Sequence, residues 1–483
     1  MPKRRPVILA GICLVYLSFA IGNAFTLMPW CDEAWFSGPA WSLLHRGYMG
    51  TPVLDPTATW RNVNLTGIDR HTYWIMPLYV VAQTAWYRLA GFSLFAMRAF
   101  SILWGLVALL SWYVILTRLA RNGRVALLAL TFLAFDFHFL WSASIGRMDM
   151  MTAALETAAL AVYLAYRERA FSRAVVAANA LAAAGVFTHP LGIVGAAGLN
   201  LAILYFDWRR VRLRHLALAT LPYACGIAVW GLYIVRDPAE FAAQMGGNAS
   251  DRWLFLSAPL KSLRKEVVER YLYPFGMSPA SSGASRLKIV VLAIYALGVV
   301  GAFATRKVRS QPSYRLLLGL TVLAFFGVTV LDGFKQLYYL LYTVPLFAVL
   351  LAVWISHVWD DGGRLRWVAA AVVVPLIAID TATTVVRIRQ NRYQSDFLGS
   401  AEFLKRHARP GDLIIGSAEL AFQFGFDGRV VDDYRLGYRS GRRPAWIVLD
   451  QNRYIEWIGY LEQTEPETHR YITDMLEIGR AHV

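Results

Sequence analysis

Long apolar blocks, separated by short polar links, occupy the first four fifths of the chain. Residues 7–28 contain no charged residue, and a helix of that length spans roughly 33 Å, which is enough for the hydrocarbon core of a bilayer. The same pattern predicts ten further spanning helices, at 96–117, 125–145, 150–166, 174–188, 191–206, 215–235, 287–304, 315–331, 336–356 and 367–386. The sequence therefore predicts a mainly α, polytopic membrane protein with about eleven transmembrane helices.

Every second link between these blocks is basic. Because cytoplasmic loops carry the excess of Lys and Arg, we expect these links and the basic N-terminus to lie in the cytoplasm. The remaining links, including a long lid-like loop at 237–285, are then external. The basic links lie at 118–124, 167–173, 209–214, 306–309 and 364–366.

Two segments of a first external loop, 29–95, are predicted to lie on the membrane surface. Residues 74–90 are long enough to span, but a span here would move every later basic link to the outside. We therefore expect an amphipathic surface helix, with Gln83 and Tyr87 on its polar face. Residues 33–46 have a similar pattern.

The pattern changes near residue 388. Short apolar stretches alternate with helical periodicity around 396–408 and 453–462, which predicts a small α/β domain. The stretches predicted as strands are 412–416, 429–432 and 445–449. The predicted organisation is a transmembrane domain at 1–388 followed by an external, periplasmic domain at 389–476.

The last seven residues, 477–483, resemble a translated sequencing adapter and are excluded from these expectations. On that interpretation the C-terminal domain is truncated.

Composition narrows the class of protein. Hydrophobic residues make up 57% of the chain and charged residues only 17%, against about 25% charged in ordinary soluble proteins. The net charge of +16 comes mainly from the links between the apolar blocks. We therefore expect the protein to be embedded in a lipid bilayer and to have no nucleic-acid partner. The three cysteines show no disulfide or metal spacing. The excess of Arg over Lys is typical of a GC-rich bacterial genome, which places the protein in a bacterial inner membrane.

An acid pair follows the first helix. Asp32 and Glu33 are flanked by Trp and Phe, which favours a partly buried cleft in which carboxylate basicity is tuned. The simpler alternative is an ordinary solvated loop.

A second external turn holds Arg147 and Asp149, with Glu156 two helical turns further on. Glu156 lies within an apolar block, where an ionisable group is costly and is a functional candidate. The alternative is an internal salt bridge between Arg147 and one of the acids.

Two later external links carry other candidates. His189 precedes a proline, and Lys335 stands before Tyr338 and Tyr339. Each of these residues also has a purely structural interpretation. The His would form a structural hydrogen bond, the Lys would extend its ammonium to the membrane surface, and the tyrosines would belong to an interfacial aromatic belt. A transporter usually shows repeats and broken helices, and no repeat is visible. The pattern favours a reaction at the outer interface on a substrate with an anionic head and a lipid tail.

Four motifs resemble the GT-C superfamily of integral-membrane glycosyltransferases. The likeness is to the bacterial branch related to protein O-mannosyltransferases and the lipid A aminoarabinose transferase. The likeness covers residues 1–200 well and residues 287–356 moderately. One departure is that the family's usual Pro-Pro-Leu motif is Met76-Pro77-Leu78 in this chain. The motifs are Asp32-Glu33, the run 76–105, Gly146–Met150 and Lys335–Ala352.

The resemblance implies an inverting transfer of a hexosyl or pentosyl group from a polyprenyl-phosphate sugar, on the periplasmic face. Asp32 is then the general base, and Glu33 positions base or acceptor. Asp149 orients cations, holds the acceptor or ligates a metal. The candidates for binding the donor phosphate are Lys335, Arg147, Arg70, His71, Tyr338 and Tyr339.

No obligatory metal is expected. If one binds, Asp149 and other oxygen ligands suit Mg²⁺ or Mn²⁺, whereas His189 or His71 would favour Zn²⁺. The acceptor is left open among protein, lipid and glycan. A second hypothesis is a transporter or flippase of a lipid-linked sugar, and a third is a non-catalytic membrane scaffold.

Overall fold

The computed structural model describes residues 5–57, 59–60, 63–120, 122–250, 252–450 and 453–480. Most of the N-terminal basic stretch and the last three residues of the suspected adapter lie outside these ranges.

The first half of the chain is helical apart from a short antiparallel hairpin of β1 (Thr59–Trp60) and β2 (Val63–Asn64). Its helices are α1 (Arg5–Thr26), α2 (Cys31–Arg46), α3 (Pro77–Ala90), α4 (Leu94–Leu119), α5 (Gly123–Phe135), α6 (Phe137–Ser144), α7 (Met148–Tyr166), α8 (Phe171–Val186), α9 (Gly192–Asp207) and α10 (Leu213–Ile234).

The next segment is also helical, and it includes a wide helical turn at Glu266–Met277 and a 3₁₀ turn at Leu337–Tyr342. Its α-helices are α11 (Pro238–Ser250), α12 (Leu254–Ser257), α13 (Pro259–Lys265), α14 (Lys288–Ala304), α15 (Arg306–Arg309), α16 (Pro312–Leu331), α17 (Val344–Asp360) and α18 (Leu365–Gln390).

The C-terminal region alternates helices and short strands. Its elements are α19 (Gly399–His407), β3 (Ile414–Ile415), α20 (Ala421–Phe424), β4 (Val430–Val431), β5 (Trp446–Ile447), α21 (Tyr454–Thr464) and α22 (Pro466–Arg480).

Eight helices in the described ranges are long and apolar enough to cross a bilayer. A ninth span results if α5 and α6, which are bent by 63° at Asp136, form one broken span. Helices α8 and α9 have 16 residues each, which is about 24 Å and short of a typical hydrocarbon core. The protein is a multi-pass membrane protein, and the count of eleven spans stays a prediction.

Helix α3 confirms the helix expected before residue 90. Its 14 residues reach about 21 Å, too little to span. Pro77 stands at its first turn, where a missing N–H costs nothing, and the chain leaves it at Gly91 with a φ of 76°. Gln83 and Tyr87 are buried while Val81 is exposed, so the polar face packs inward. Its place on the membrane surface stays a prediction.

The chain forms two compact units. The membrane unit comprises residues 1–26, 98–232 and 251–390, and the α/β unit comprises 27–97, 233–250 and 391–483. In the membrane unit, helices pack closely at glycines such as Gly298 of α14, where an added Cβ would lie 2.7 Å from the Leu351 side chain.

The α/β unit contains a three-stranded parallel sheet in the order β4-β3-β5. The three predicted strands are confirmed at shorter length, and the predicted helices correspond to α19 and α21. The first-loop segment joins this sheet, because the Asp432 N–H donates to the Val53 carbonyl at 2.7 Å and Leu54 bridges to Asp432. The unit is thus built from segments far apart in the sequence.

Candidate functional site

The acid pair opens helix α2. The Trp30 N–H donates to Glu33 Oε2 at 2.9 Å, which closes the helix N-terminus in the manner of a capping box. Glu33 is fully buried, whereas Asp32 is partly exposed and accepts a weak hydrogen bond from the Cys31 thiol at 3.7 Å. The pair is therefore divided between a helix-capping carboxylate and an accessible one.

A polar cluster lies where the parallel strands of the α/β unit end, an edge at which open α/β sheets commonly place polar sites. We call Trp35, Ser417, Glu419, Asp432 and Arg453 the sheet-edge cluster. Both the Trp35 indole N–H and the Arg453 guanidinium donate to Asp432 Oδ2, each at 3.1 Å. Arg453 also donates to Ser417 Oγ at 2.7 Å. The cluster thus joins α2 to the C-terminal sheet.

Glu419 is the most perturbed acid of this cluster. Its carboxylate accepts a hydrogen bond from Ser417 Oγ at 2.5 Å. Burial raises the pKa of Glu419 to about 7, although the positive charge of Arg453 opposes the rise. Glu419 is consequently partly protonated at neutral pH.

Arg70 and His71 pair with one carboxylate in the same unit. Arg70 donates to Glu240 Oε1 at 2.8 Å, and His71 Nδ1 lies 2.9 Å from Glu240 Oε2. His71, Asp237 and Glu240 offer ligand atoms within 4.8 Å of one another, a donor set that suits a divalent cation. However, both oxygens of Glu240 already have partners, so the geometry describes an ion-pair cluster that ties the first loop to α11.

A second cluster lies in the membrane unit, and it contains four cations and three carboxylates. Asp332 follows α16, and its carboxylate accepts hydrogen bonds from the N–H groups of Phe334 and Gln336. Arg270 bridges Asp332 and Glu266 with contacts of 2.8 Å to each. We call this group the cationic cluster: Arg147, Arg252, Arg270, Lys335, Asp149, Glu266 and Asp332.

Lys335 is the buried centre of this cluster. Its ammonium donates to the Thr329 carbonyl at 2.6 Å and lies 3.1 Å from Glu266 Oε2. Its backbone φ of 58° lies in a region that costs a non-glycine residue about 1–3 kcal/mol. Burial lowers the pKa of Lys335, against the attraction of Glu266, and burial raises the pKa of Glu266 against the attraction of Arg270.

Arg147 and Asp149 begin helix α7. Arg147 Nε donates to Asp149 Oδ2 at 2.9 Å, and its guanidinium lies 3.8 Å from the centre of the Tyr338 ring, which stacks on Trp141. The salt bridge considered for Arg147 is thus formed with Asp149. The second oxygen of Asp149, Oδ1, is buried and has no hydrogen-bond partner within the described ranges, so it is able to accept a hydroxyl or a cation.

Tyr339 links His189 to Arg252. The Leu191 N–H donates to His189 Nδ1 at 3.1 Å, so Nε2 carries the proton and donates to the Tyr339 oxygen at 3.3 Å. Burial lowers the pKa of His189 to about 4, which keeps the ring neutral. Arg252 donates to the same oxygen at 3.3 Å and lies 3.8 Å from Asp332. Both nitrogens of His189 are engaged, which does not fit a metal ligand unless Tyr339 moves.

Glu156 lines an apolar groove in the membrane unit, together with Trp112, Leu320 and Tyr342. Its Oε1 and the Tyr342 hydroxyl have no hydrogen-bond partners in the described part of the chain. Gly195 of α9 leaves the room for the Glu156 side chain, because an added Cβ would overlap it.

The structure brings together six of the ten predicted site residues. The other four, Asp32, Glu33, Arg70 and His71, lie in the α/β unit. Sequence reasoning missed Arg252, Glu266 and Arg270 of the cationic cluster. The one available signal was the i, i+4 spacing of Glu266 and Arg270. The six that lie together in the membrane unit are Arg147, Asp149, His189, Lys335, Tyr338 and Tyr339.

Comparison with known proteins supports one class. Residues 76–192 match the sequence model of the dolichyl-phosphate-mannose-protein mannosyltransferase family, a range that includes Arg147, Asp149 and His189. A sequence search of curated proteins finds no match.

Solved structures match over most of the chain. ArnT from Cupriavidus metallidurans, bound to undecaprenyl phosphate, aligns with a TM-score of 0.58 and 15% identity over 96% of this chain and 88% of ArnT. Archaeal AglB from Archaeoglobus fulgidus, with an inhibitory peptide and a dolichol-phosphate, gives 0.51 and 12% over 89% of this chain and 64% of AglB. The Archaeoglobus fulgidus oligosaccharyltransferase with Zn and sulfate gives 0.53 and 12%, over 88% and 62%.

The chain has the fold of the GT-C glycosyltransferases, to which ArnT and AglB belong. The resemblance inferred from the four sequence motifs is therefore confirmed.

Proposed function

We propose that the protein transfers a sugar from a polyprenyl-phosphate-linked donor to an acceptor hydroxyl, on the periplasmic face of a bacterial inner membrane. The cationic cluster carries this proposal. Its seven charged groups leave one net positive charge, and most of them are closed to water. Fixed cations in such a site stabilise the charge that develops on a phosphate leaving group. The undecaprenyl phosphate bound to ArnT supports the donor class.

Asp32 is the proposed general base. Its carboxylate is partly exposed at the start of α2, where it is able to take the proton of the acceptor hydroxyl as the oxygen attacks the sugar carbon. The bond from that carbon to the phosphate oxygen breaks, so the sugar inverts and polyprenyl phosphate leaves. Glu33 acts through the helix, because it caps the turn that carries Asp32.

The cations of the donor site have separate proposed tasks. Arg252 is 28% exposed and Arg147 is held by Asp149 and Tyr338, so we assign both to the donor phosphate. Lys335 contributes its charge from inside the cluster, and Tyr338 and Tyr339 hold the arginines. Arg70 and His71 stay candidates that would need to leave Glu240.

A divalent metal is not required by this scheme. Asp149 Oδ1, which has no hydrogen-bond partner among the described residues, suits a hard cation such as Mg²⁺ or Mn²⁺, and a bound cation would supply further charge at the phosphate. The oligosaccharyltransferase solved with Zn keeps this alternative open. In the proposed steps Asp32 accepts the proton of the acceptor hydroxyl, and the cationic cluster stabilises the negative charge on the leaving phosphate.

Asp32→Asn tests the proposal in proteoliposomes. The probes are polyprenyl-phosphate hexoses and pentoses, with native membranes as the source of acceptor, and the readout is released polyprenyl phosphate. Release should fall by about 10²–10⁴-fold, while Glu456→Gln, an exposed acid of the same unit, should behave as the wild type. Unchanged release in Asp32→Asn would contradict the assignment of the base.

The transporter hypothesis finds one supporting observation, the broken helix at Asp136. Both oxygens of Asp136 are hydrogen-bonded, to the Phe139 N–H at 2.6 Å and the Tyr295 hydroxyl at 2.8 Å, which supports a structural cap. The same proteoliposomes separate the two functions, because a flippase would move the donor between leaflets without releasing polyprenyl phosphate.

A further inference from the structure

The first turn of α2 is attached to the C-terminal sheet through Trp35. Trp35 lies three residues after Asp32, so the two side chains leave the helix on neighbouring faces one turn apart. Its ring is 4% exposed, and its indole N–H donates to Asp432 at 3.1 Å. The position of Asp32 along the helix axis is therefore tied to Asp432.

Asp432 is a rigid anchor because both of its oxygens are occupied. Oδ2 accepts from Trp35 and Arg453 at 3.1 Å and from the Ala418 N–H at 3.3 Å, and Oδ1 accepts from the Tyr454 hydroxyl at 3.0 Å. Its backbone N–H also holds the first-loop segment at Val53. A carboxylate with this many donors has little freedom to rotate.

Arg453 reaches the start of α2 from a second direction. Its guanidinium lies 5.0 Å from the centre of the Trp35 ring, a cation–π contact. One arginine thus contacts both the sheet, at Asp432, and helix α2, at Trp35.

From these contacts we propose that Trp35, Asp432 and Arg453 are positioning residues that hold Asp32 in register for proton removal. The proposal rests on the proposed role of Asp32. Catalytic groups must be held within about 0.5 Å of the productive geometry, and α2 gains that restraint from residues about 400 positions away in the sequence.

Trp35→Phe is the most conservative test, because an aromatic ring stays in place while the pyrrole part of the indole is lost together with its N–H. We expect the turnover number to fall about 10-fold, with the donor KM within twofold of the wild type. Trp41→Phe is the matched control on the same helix, where the indole stacks on His45, and should leave turnover unchanged. An increase in the donor KM with unchanged turnover, or equal effects in the two variants, would overturn the proposal.

Arg453→Met should reduce turnover about 10–100-fold, and Arg453→Lys should restore part of the loss because an ammonium still pairs with Asp432. Arg406→Met, in an exposed part of the same unit, is the control. The acidic limb of the pH profile of turnover should shift in Arg453→Met and stay in place in Arg406→Met, since displacement of Asp32 changes its surroundings. An unshifted profile counts against positioning.

Maleimide labelling of Cys31 measures the same displacement without any substrate. Cys31 is buried, so its labelling rate reports how far the start of α2 opens. The experiment uses the Cys13→Ala/Cys225→Ala background, in which Cys31 is the remaining cysteine. Labelling should be at least 10-fold faster in Arg453→Met than in Arg406→Met. If labelling is equal, positioning is wrong even when Asp32→Asn abolishes transfer. If labelling accelerates but no variant or wild type transfers sugar, the proposed function fails and the restraint on α2 stands.

Discussion

Burial divides the cations of the cationic cluster into two kinds at the residue scale. Lys335 and Arg270 have fully buried side chains and pair with buried carboxylates, whereas Arg252 is 28% exposed. A buried ion that loses its partner retains the full cost of desolvation. On the proposed function, we therefore expect Arg252 to exchange Asp332 for a ligand phosphate at a lower cost than Lys335 would incur on leaving Glu266.

Replacing Arg252 should affect ligand binding, whereas replacing Lys335 should affect stability. Arg252→Gln should weaken binding of polyprenyl phosphate about 10-fold with little change in thermal stability. Lys335→Met should lower stability by about 3 kcal/mol, because the buried Glu266 then keeps only Arg270, a partner that it shares with Asp332. Lys335→Met/Glu266→Gln should recover most of this loss. Titration of the lipid phosphate and thermal unfolding in detergent measure both. A fully stable Lys335→Met that no longer binds would reverse the assignment.

Glu419 makes the stability of the protein depend on pH. Burial raises its pKa from the ordinary 4.5 to about 7, so the folded state favours the protonated acid. The stability from this group is complete below about pH 4.5 and is lost as pH rises through about 7, in total roughly 3 kcal/mol. In Glu419→Gln the decline in melting temperature between pH 5 and 8 should be smaller than in the wild type. The exposed Glu456→Gln should match the wild type. Identical declines in all three would show that Glu419 does not titrate in this range.

At the scale of elements, glycines set how closely the membrane helices approach. Gly195 of α9 faces Glu156 of α7, and an added Cβ would overlap the Glu156 side chain. At Gly319 of α16, by contrast, an added Cβ would have no heavy atom within 4 Å. One glycine is thus required by packing, and the other is not.

Gly195→Ala should destabilise the protein by about 1–3 kcal/mol through overpacking. Gly319→Ala should be neutral or slightly stabilising, because alanine favours the helix. Thermal unfolding and yield in detergent provide the measurement. Glu156→Ala in the Gly195→Ala background should restore stability, and a lack of rescue would show that the contact with Glu156 is not the cause.

At the scale of the whole molecule, the parallel sheet depends on segments outside the C-terminal region. The first loop supplies Val53 and Leu54 to the edge of the sheet and Trp35 to its carboxyl end. The α/β unit is therefore expected to need residues 27–97 to complete its fold.

The alternation of basic links predicts the orientation of the molecule. In a variant without native cysteines, Arg406→Cys should react with a membrane-impermeant maleimide in intact spheroplasts. Arg309→Cys, in a basic link, should react only after permeabilisation, because positive links stay in the cytoplasm. Both positions are exposed. Labelling in the opposite order would invert the predicted topology.

The resemblance of four motifs implied the GT-C fold, and the residue pattern itself predicted the apolar helices, the non-spanning helix before residue 90 and the three C-terminal strands. Hydrophobic periodicity and charge between blocks are local properties, and local properties determine element type. Asp32, Arg147, Asp149 and Lys335 were predictable as candidates because a charged residue beside an apolar block is conspicuous.

Only the tertiary structure decided which of these charges meet. Lys335 pairs with Glu266 and Arg70 with Glu240, and Trp35 reaches Asp432 across 397 positions. Such pairs lie far apart in the sequence, and no periodicity encodes them. Burial then assigns their roles, since the same lysine is a phosphate ligand in water and an ion-pair partner in a dry interior. The sequence alone determined which residues carry charge, and the fold decided which of those charges remain available for chemistry.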